Sequence, residues 1–144
     1  MKISKILIAA LILICAIGIV SAAELPNLQV PDTFKDLGGG SYSNEADDIE
    51  IDIFNDTDLK SYFTNDTATK LTVTPGKINN TYNFTDGVNE LFGICELVKI
   101  NDDQYVIQVW ANSDSSDTSL DRFYDALEQV NKLNNITPED ASTL

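Results

Sequence analysis

Two apolar runs, Leu91–Ile100 and Gln104–Trp110, are separated only by Asn101-Asp102-Asp103. Runs rich in Ile, Val and Leu and broken by a short polar segment predict a β-hairpin. Apolar residues occur at both parities, so these strands need cover on both faces and belong in the middle of a sheet. A two-residue loop would set Ile100 opposite Tyr105 and Val98 opposite Ile107. A three-residue loop would set Val98 opposite Val106 and Leu97 opposite Ile107. Both bury apolar pairs, so the pattern leaves the register open.

The flanking sequence extends the sheet. Ile49, Ile51 and Ile53 alternate with Glu50 and Asp52, which predicts a half-buried strand with its carboxylates outward. Leu71 and Val73 alternate with threonines up to Pro75-Gly76, and Ile78, Tyr82 and Phe84 mark a more polar strand ended by Asp86-Gly87. Leu59 to Thr64 reads equally as a short strand or a helical turn. Asp32 to Leu37 predicts one helical turn closed by Gly38. Gly38-Gly39-Gly40-Ser41 is a hinge or turn, and without a following Lys-Ser/Thr it is no phosphate loop.

After the hairpin, Leu120, Phe123, Tyr124, Leu127, Val130 and Leu133 recur at helical spacing, with Arg122, Asp125, Glu128 and Lys132 on the other side. Thr118 and Ser119 are N-cap candidates, and Thr118-x-x-Asp121 resembles a capping box. Asn134-Asn135 ends the helix and Pro138 blocks its resumption. The fold class is therefore α+β: an antiparallel sheet with a C-terminal amphipathic helix packed on one face.

Ahead of this domain, Lys2 and Lys5 precede an apolar run from Ile6 to Val20 and the small residues Ser21, Ala22 and Ala23. The run spans roughly 22 Å as a helix, short of the roughly 30 Å of a bilayer core. It reads as a signal peptide over residues 1–23, cleaved after Ala23, with a retained membrane anchor as the rival. Residues 24–144 then form a single acidic domain. Cys15 is followed by apolar residues and preceded by Ile14, which does not fit a lipoprotein site.

Removing Lys2 and Lys5 from 9 basic residues, against 23 acids, takes the net charge from −14 to −16. Such a charge repels nucleic acid and anionic membranes and favours cations or a basic partner. Cys95 is left without a second cysteine, so the mature chain has no internal disulfide. The chain has no histidine, which excludes His-based triads and His-containing zinc sites. No residue is assigned a catalytic role, and the expectation is a binding domain rather than an enzyme. A hydrolase working with carboxylates alone on extracellular glycans is the alternative. Glu96, set in an apolar strand, would have a raised pKa if buried. The simpler reading leaves it partly exposed, facing Gln108 or Lys99.

No cofactor is called for, but calcium suits the oxygen donors around the helix start, where Asp114, Asp117 and Asp121 are the candidate ligands, with Asn112 beside them. Acids at a helix N-terminus also arise simply from capping. Asn-x-Ser/Thr acceptor sequences occur at Asn55, Asn65, Asn79, Asn83 and Asn135, above the roughly two expected by chance, and predict N-glycosylation of an exported chain. Trp110, Tyr82, Phe84 and Tyr62 are candidate contact aromatics, each with core as the competing place.

The stretch Gly93-x-x-Glu96-Leu97-Val98-Lys99-Ile100, then Tyr105-Val106-Ile107, then Asn131-Lys132-Leu133-Asn134-Asn135 and Pro138, resembles small secreted proteins of methanogenic archaea that carry no assigned function. Val30-Pro31-Asp32-x-Phe34 fits the same resemblance. It implies an archaeal exported protein at the cell surface or outside it, N-glycosylated and without catalytic residues. The sheet-then-helix order is also similar to the extrinsic P-subunit superfamily of photosystem II, whose members are largely non-catalytic binding domains. That similarity concerns fold alone.

Overall fold

Strand-forming and turn-forming residues alternate from Lys35 onward, and the computed structural model, which describes residues 25–55, 67–68 and 70–137, turns that alternation into a seven-stranded antiparallel sheet. The strands are β1 (Lys35–Gly38), β2 (Ser41–Asn44), β3 (Ile49–Asn55), β4 (Leu71–Pro75), β5 (Thr81–Asp86), β6 (Leu91–Ile100) and β7 (Asp103–Asn112). One helix, α1 (Asp121–Leu133), follows. The proposed signal peptide, Leu59–Thr64, Asn65, Tyr62 and Pro138 lie outside the described residues.

The spatial order is β1-β2-β3-β7-β6-β5-β4. Two meanders, β1 to β3 and β4 to β7, are joined where β3 pairs with β7. The long hairpin is thus central, as its two-faced apolar pattern requires. On one face, Ile49, Ile51, Ile53, Ile94, Val98, Ile107 and Val109 pack with Phe123, Leu127 and Val130 of α1 and with Leu28 from the segment before β1. On the other, Phe54, Phe84, Leu91, Cys95, Leu97, Val106 and Trp110 form a second cluster.

Several expectations are corrected. The hairpin register matches neither alternative: Ile100 pairs with Asp103, Val98 with Tyr105 and Leu97 with Val106. The loop is Asn101-Asp102, both with positive φ (54° and 69°), the type I′ turn that follows strand twist. Asp103, read from its charge as loop, is the first residue of β7. Lys35–Gly38 is a strand rather than part of a helical turn; only the stretch before it turns, where the Phe34 amide donates to Pro31 O at 2.9 Å. Gly39 and Gly40 then form a two-residue turn into β2, both with positive φ.

Glu50 and Asp52 do not face outward; each is only 5% exposed. Alternation puts them on the face opposite α1, where β2 supplies serines directly across: Ser43 opposite Glu50 and Ser41 opposite Asp52.

The helix starts later than its cap signals suggest. Leu120 occupies the cap position and offers no side-chain bond, while Ser119 Oγ accepts the Asp121 amide at 3.2 Å. The Thr118 capping box is not formed. Leu133, assigned to the apolar stripe, is exposed, because the helix ends there. Asn135 adopts φ 54°, and the Asn135 and Ile136 amides donate to Lys132 O and Asn131 O. This is a Schellman closure with asparagine in the left-handed position.

Candidate functional site: an acidic groove and a set of buried acids

Among the described residues, Gly40, Asp48, Lys70, Asn80, Glu90 and Asp102 each end a loop of the sheet in the left-handed region. The loop closed by Asp48, Glu45–Asp48 between β2 and β3, builds a groove wall. Asn44 organises it: its Nδ2 donates to Asp47 Oδ2 at 2.9 Å and its Oδ1 accepts the Asp47 amide at 3.2 Å. Asp48 closes the loop at φ 56°. The opposite wall is the link from β7 to α1, and the floor includes Phe34, Ala126 and Gln129. The groove encloses about 770 Å³ and is lined by Glu45, Asp47, Asp48, Asp114, Asp117 and Asp125.

Arg122 is the one cation among the described lining residues, and both its Nη groups are engaged, while its buried Nε has no hydrogen-bond partner. Nη1 donates to Asp47 O at 2.9 Å, and Nη2 to Asp117 O at 2.8 Å and Ser115 Oγ at 3.2 Å. The guanidinium also stacks 4.7 Å from the Phe123 ring centre. It clamps both walls together from the start of α1, a planar fork well suited to several oxygen acceptors. Six carboxylates against one committed guanidinium leave the groove with a negative potential that draws cations. Arg122 was placed on the solvent side of the helix by spacing; its side chain is only 16% exposed.

The calcium candidates separate. Asp114 and Asp117 line the groove, but Asp117 Oδ1 accepts the Ser119 amide at 2.9 Å and its Oδ2 lies 3.9 Å from Arg122 Nε. Asp121 points to Lys77 instead, at 3.5 Å. Asn112 is buried at the end of β7. Among the described residues no three acidic, cysteine or histidine side chains converge as a metal site.

The acceptor asparagines differ in setting. Asn79 is exposed, with Thr81 Oγ1 donating to Ile78 O at 2.5 Å. Asn135 is exposed at the helix end, and Asn55 is half-buried. Asn83 is half-buried and accepts the Tyr124 hydroxyl through Oδ1 at 2.6 Å. It lines a shallower cavity of about 380 Å³ with Thr72, Thr74, Thr85 and Phe92. Trp110 and Phe84 are core, and Tyr82 is partly buried against them.

A second set of acids is buried in the sheet. Asp52 accepts Ser41 Oγ at 2.5 Å and Trp110 Nε1 at 2.6 Å; burial nonetheless raises its pKa. Glu50 accepts Ser43 Oγ at 2.9 Å, while its Oε2 is buried without a partner. Burial pushes Glu50 up to about 7, and neighbouring Asp52, Asp48 and Glu45 add to this. Glu96 is not partly exposed: it is 1% accessible. Its partner is neither Gln108 nor Lys99 but Asn131 on α1, whose Nδ2 donates to Oε2 at 3.0 Å. Burial pushes Glu96 up to about 7 as well.

Asn131 was missed by sequence reasoning, although a signal existed: it lies four residues beyond Leu127, on the inward stripe of the helix. No family model, curated protein sequence or solved structure matches the chain.

Proposed function

We propose that the protein works outside the cytoplasm as a non-enzymatic binding domain whose acidic groove takes a cationic ligand, such as a polyamine or a basic peptide segment. The observation that carries this reading is the groove itself: a concavity of about 770 Å³ lined by six acids whose one arginine is occupied in holding its walls. The export reading of residues 1–23, the resemblance to exported archaeal proteins and the acceptor asparagines agree with it. The hydrolase alternative draws no comparable support. Glu50, Asp52 and Glu96, the acids pushed toward neutrality, line neither the groove nor the shallower cavity.

Titration of isotope-labelled protein with spermidine and with oligolysine tests the proposal. Amide shifts are expected at residues 44–48 and 113–125. A variant carrying Asp114→Asn and Asp125→Asn should bind roughly tenfold more weakly, with binding fading as salt rises. A control changing Asp102 and Asp103 to Asn alters the charge equally at the distant hairpin turn. Equal weakening by both variants, or no localised shifts, would reject the groove as the site.

A further inference from the structure

Where α1 crosses the sheet, one acid and one amide meet in an apolar seam. Glu96 projects from β6 between Ile94 and Val98 of the helix-side cluster. Its cross-strand neighbours are Thr81 on β5 and Ile107 on β7. Asn131 Nδ2 donates to Glu96 Oε2. The remaining oxygens, Glu96 Oε1 and Asn131 Oδ1, are both buried and both unpartnered. Both are acceptors, so neither can satisfy the other while the acid is ionised. A single proton on Oε1 supplies the missing donor.

We propose that Glu96 and Asn131 form a proton-operated clasp. With the acid protonated, Oε1–H donates to Asn131 Oδ1 while Asn131 Nδ2–H donates to Oε2. The resulting two-bond ring pins the C-terminal half of α1 to β6. With the acid ionised, one bond is lost, a charge is stranded in the seam, and this end of the helix loosens.

The surroundings favour the protonated form. The titratable side chains of the helix-side cluster are Tyr42 on β2, Tyr105 on β7 and Tyr124 on α1; Tyr42 donates its hydroxyl to Leu28 O and Tyr124 to Asn83. Lys77 lies over the Tyr124 ring and is paired with exposed Asp121. Lys132, in the last turn of α1, is exposed and paired with Glu128 at 3.1 Å. Cys95 faces the opposite side of the sheet with the second cluster. None of these offers Glu96 a positive charge, and desolvation holds the proton on up to about pH 7.

A folded-state pKa above the unfolded value means that the folded form binds the proton more tightly. The stabilisation is therefore complete below the unfolded value of 4.5 and is lost as pH rises through about 7. The same loosening reaches the segment before β1, because Asn134, three residues beyond Asn131, bonds Gln29 through both its Oδ1 and its Nδ2.

Two measurements on the full chain test the clasp. Carbon-13 NMR of the Glu96 side-chain carboxyl in the unmodified protein should titrate near pH 7. Amide hydrogen exchange, corrected for intrinsic rates, should show protection of residues 127–136 falling by an amount of order 10²-fold between pH 5 and pH 8.5. In Glu96→Gln the side chain donates to Asn131 Oδ1 at every pH, so that fall should vanish. Glu50→Gln should leave the local fall in place. A carboxyl midpoint near 4.5, or a full pH-dependent fall retained in Glu96→Gln, overturns the proposal; the carboxyl titration alone decides it if the variant does not fold.

Discussion

Gly93 sits across from Trp110 on the crowded face of the sheet. A Cβ there would come within 2.1 Å of Val109 O and 2.7 Å of Trp110 Cα. Backbone on the central strand cannot retreat, so only glycine lets β6 approach β7 this closely beside Trp110. Gly93→Ala is expected to destabilise the protein by about 1–3 kcal/mol, read as a lower urea midpoint with an unchanged slope. The crowding at Gly93 could not be read from the sequence, because a glycine inside a strand pattern does not announce what approaches it. The buried acids were hidden for a related reason. Alternation in Ile-Glu-Ile-Asp-Ile reads as apolar inside and carboxylate outside, unless the serines that face them from β2 are known. Glu96 could be singled out from its apolar neighbours, but the amide that meets it is 35 residues away.

At the scale of elements, period and composition disclosed more. The central hairpin, β3 to β5 and the helix body were all legible, because their apolar spacing matches the geometry that buries them. Register was not, because both strands are apolar at both parities and a slip by one residue leaves apolar pairs in either case. The turn decided it, through two left-handed residues that need no glycine when they are Asn and Asp. Arg122 shows how an element can mislead: spacing put it on the solvent face of α1, yet it ties the β2–β3 loop to the β7–α1 link. Arg122→Met keeps the stem and deletes the fork. It is expected to cost about 1–3 kcal/mol, and the exchange of amides 45–48 should speed up more than that of the sheet. Uniform acceleration throughout the molecule would show that the groove walls do not depend on this clamp.

At the scale of the whole molecule, the strand order could not be read from the sequence. Each meander is local, but β3 and β4 run parallel at positions four strands apart, roughly 19 Å across the sheet, and no local pattern records that separation. The helix, by contrast, was placed correctly against the sheet because its stripe had one apolar partner surface large enough to bury it. Charge also organises at this scale: acids at the rim sum to a field, while burial pushes those inside the sheet toward the neutral form and hydroxyl, amide and indole donors meet some of their oxygens.

Trp110 is the chain's one tryptophan, and its indole bonds an acid 58 residues earlier across the β3–β7 junction. Among the described residues, all other strand pairs join strands consecutive in the sequence, and such local hairpins close early during folding, whereas this one closure bears most of the loop entropy. The indole is therefore a built-in clock for the slowest assembly event. In stopped-flow refolding its emission should change after the bulk of the β-sheet circular dichroism has appeared, and Asp52→Asn should leave the earlier phase unaltered. Simultaneous signals would instead mean that the two meanders are formed only as they join.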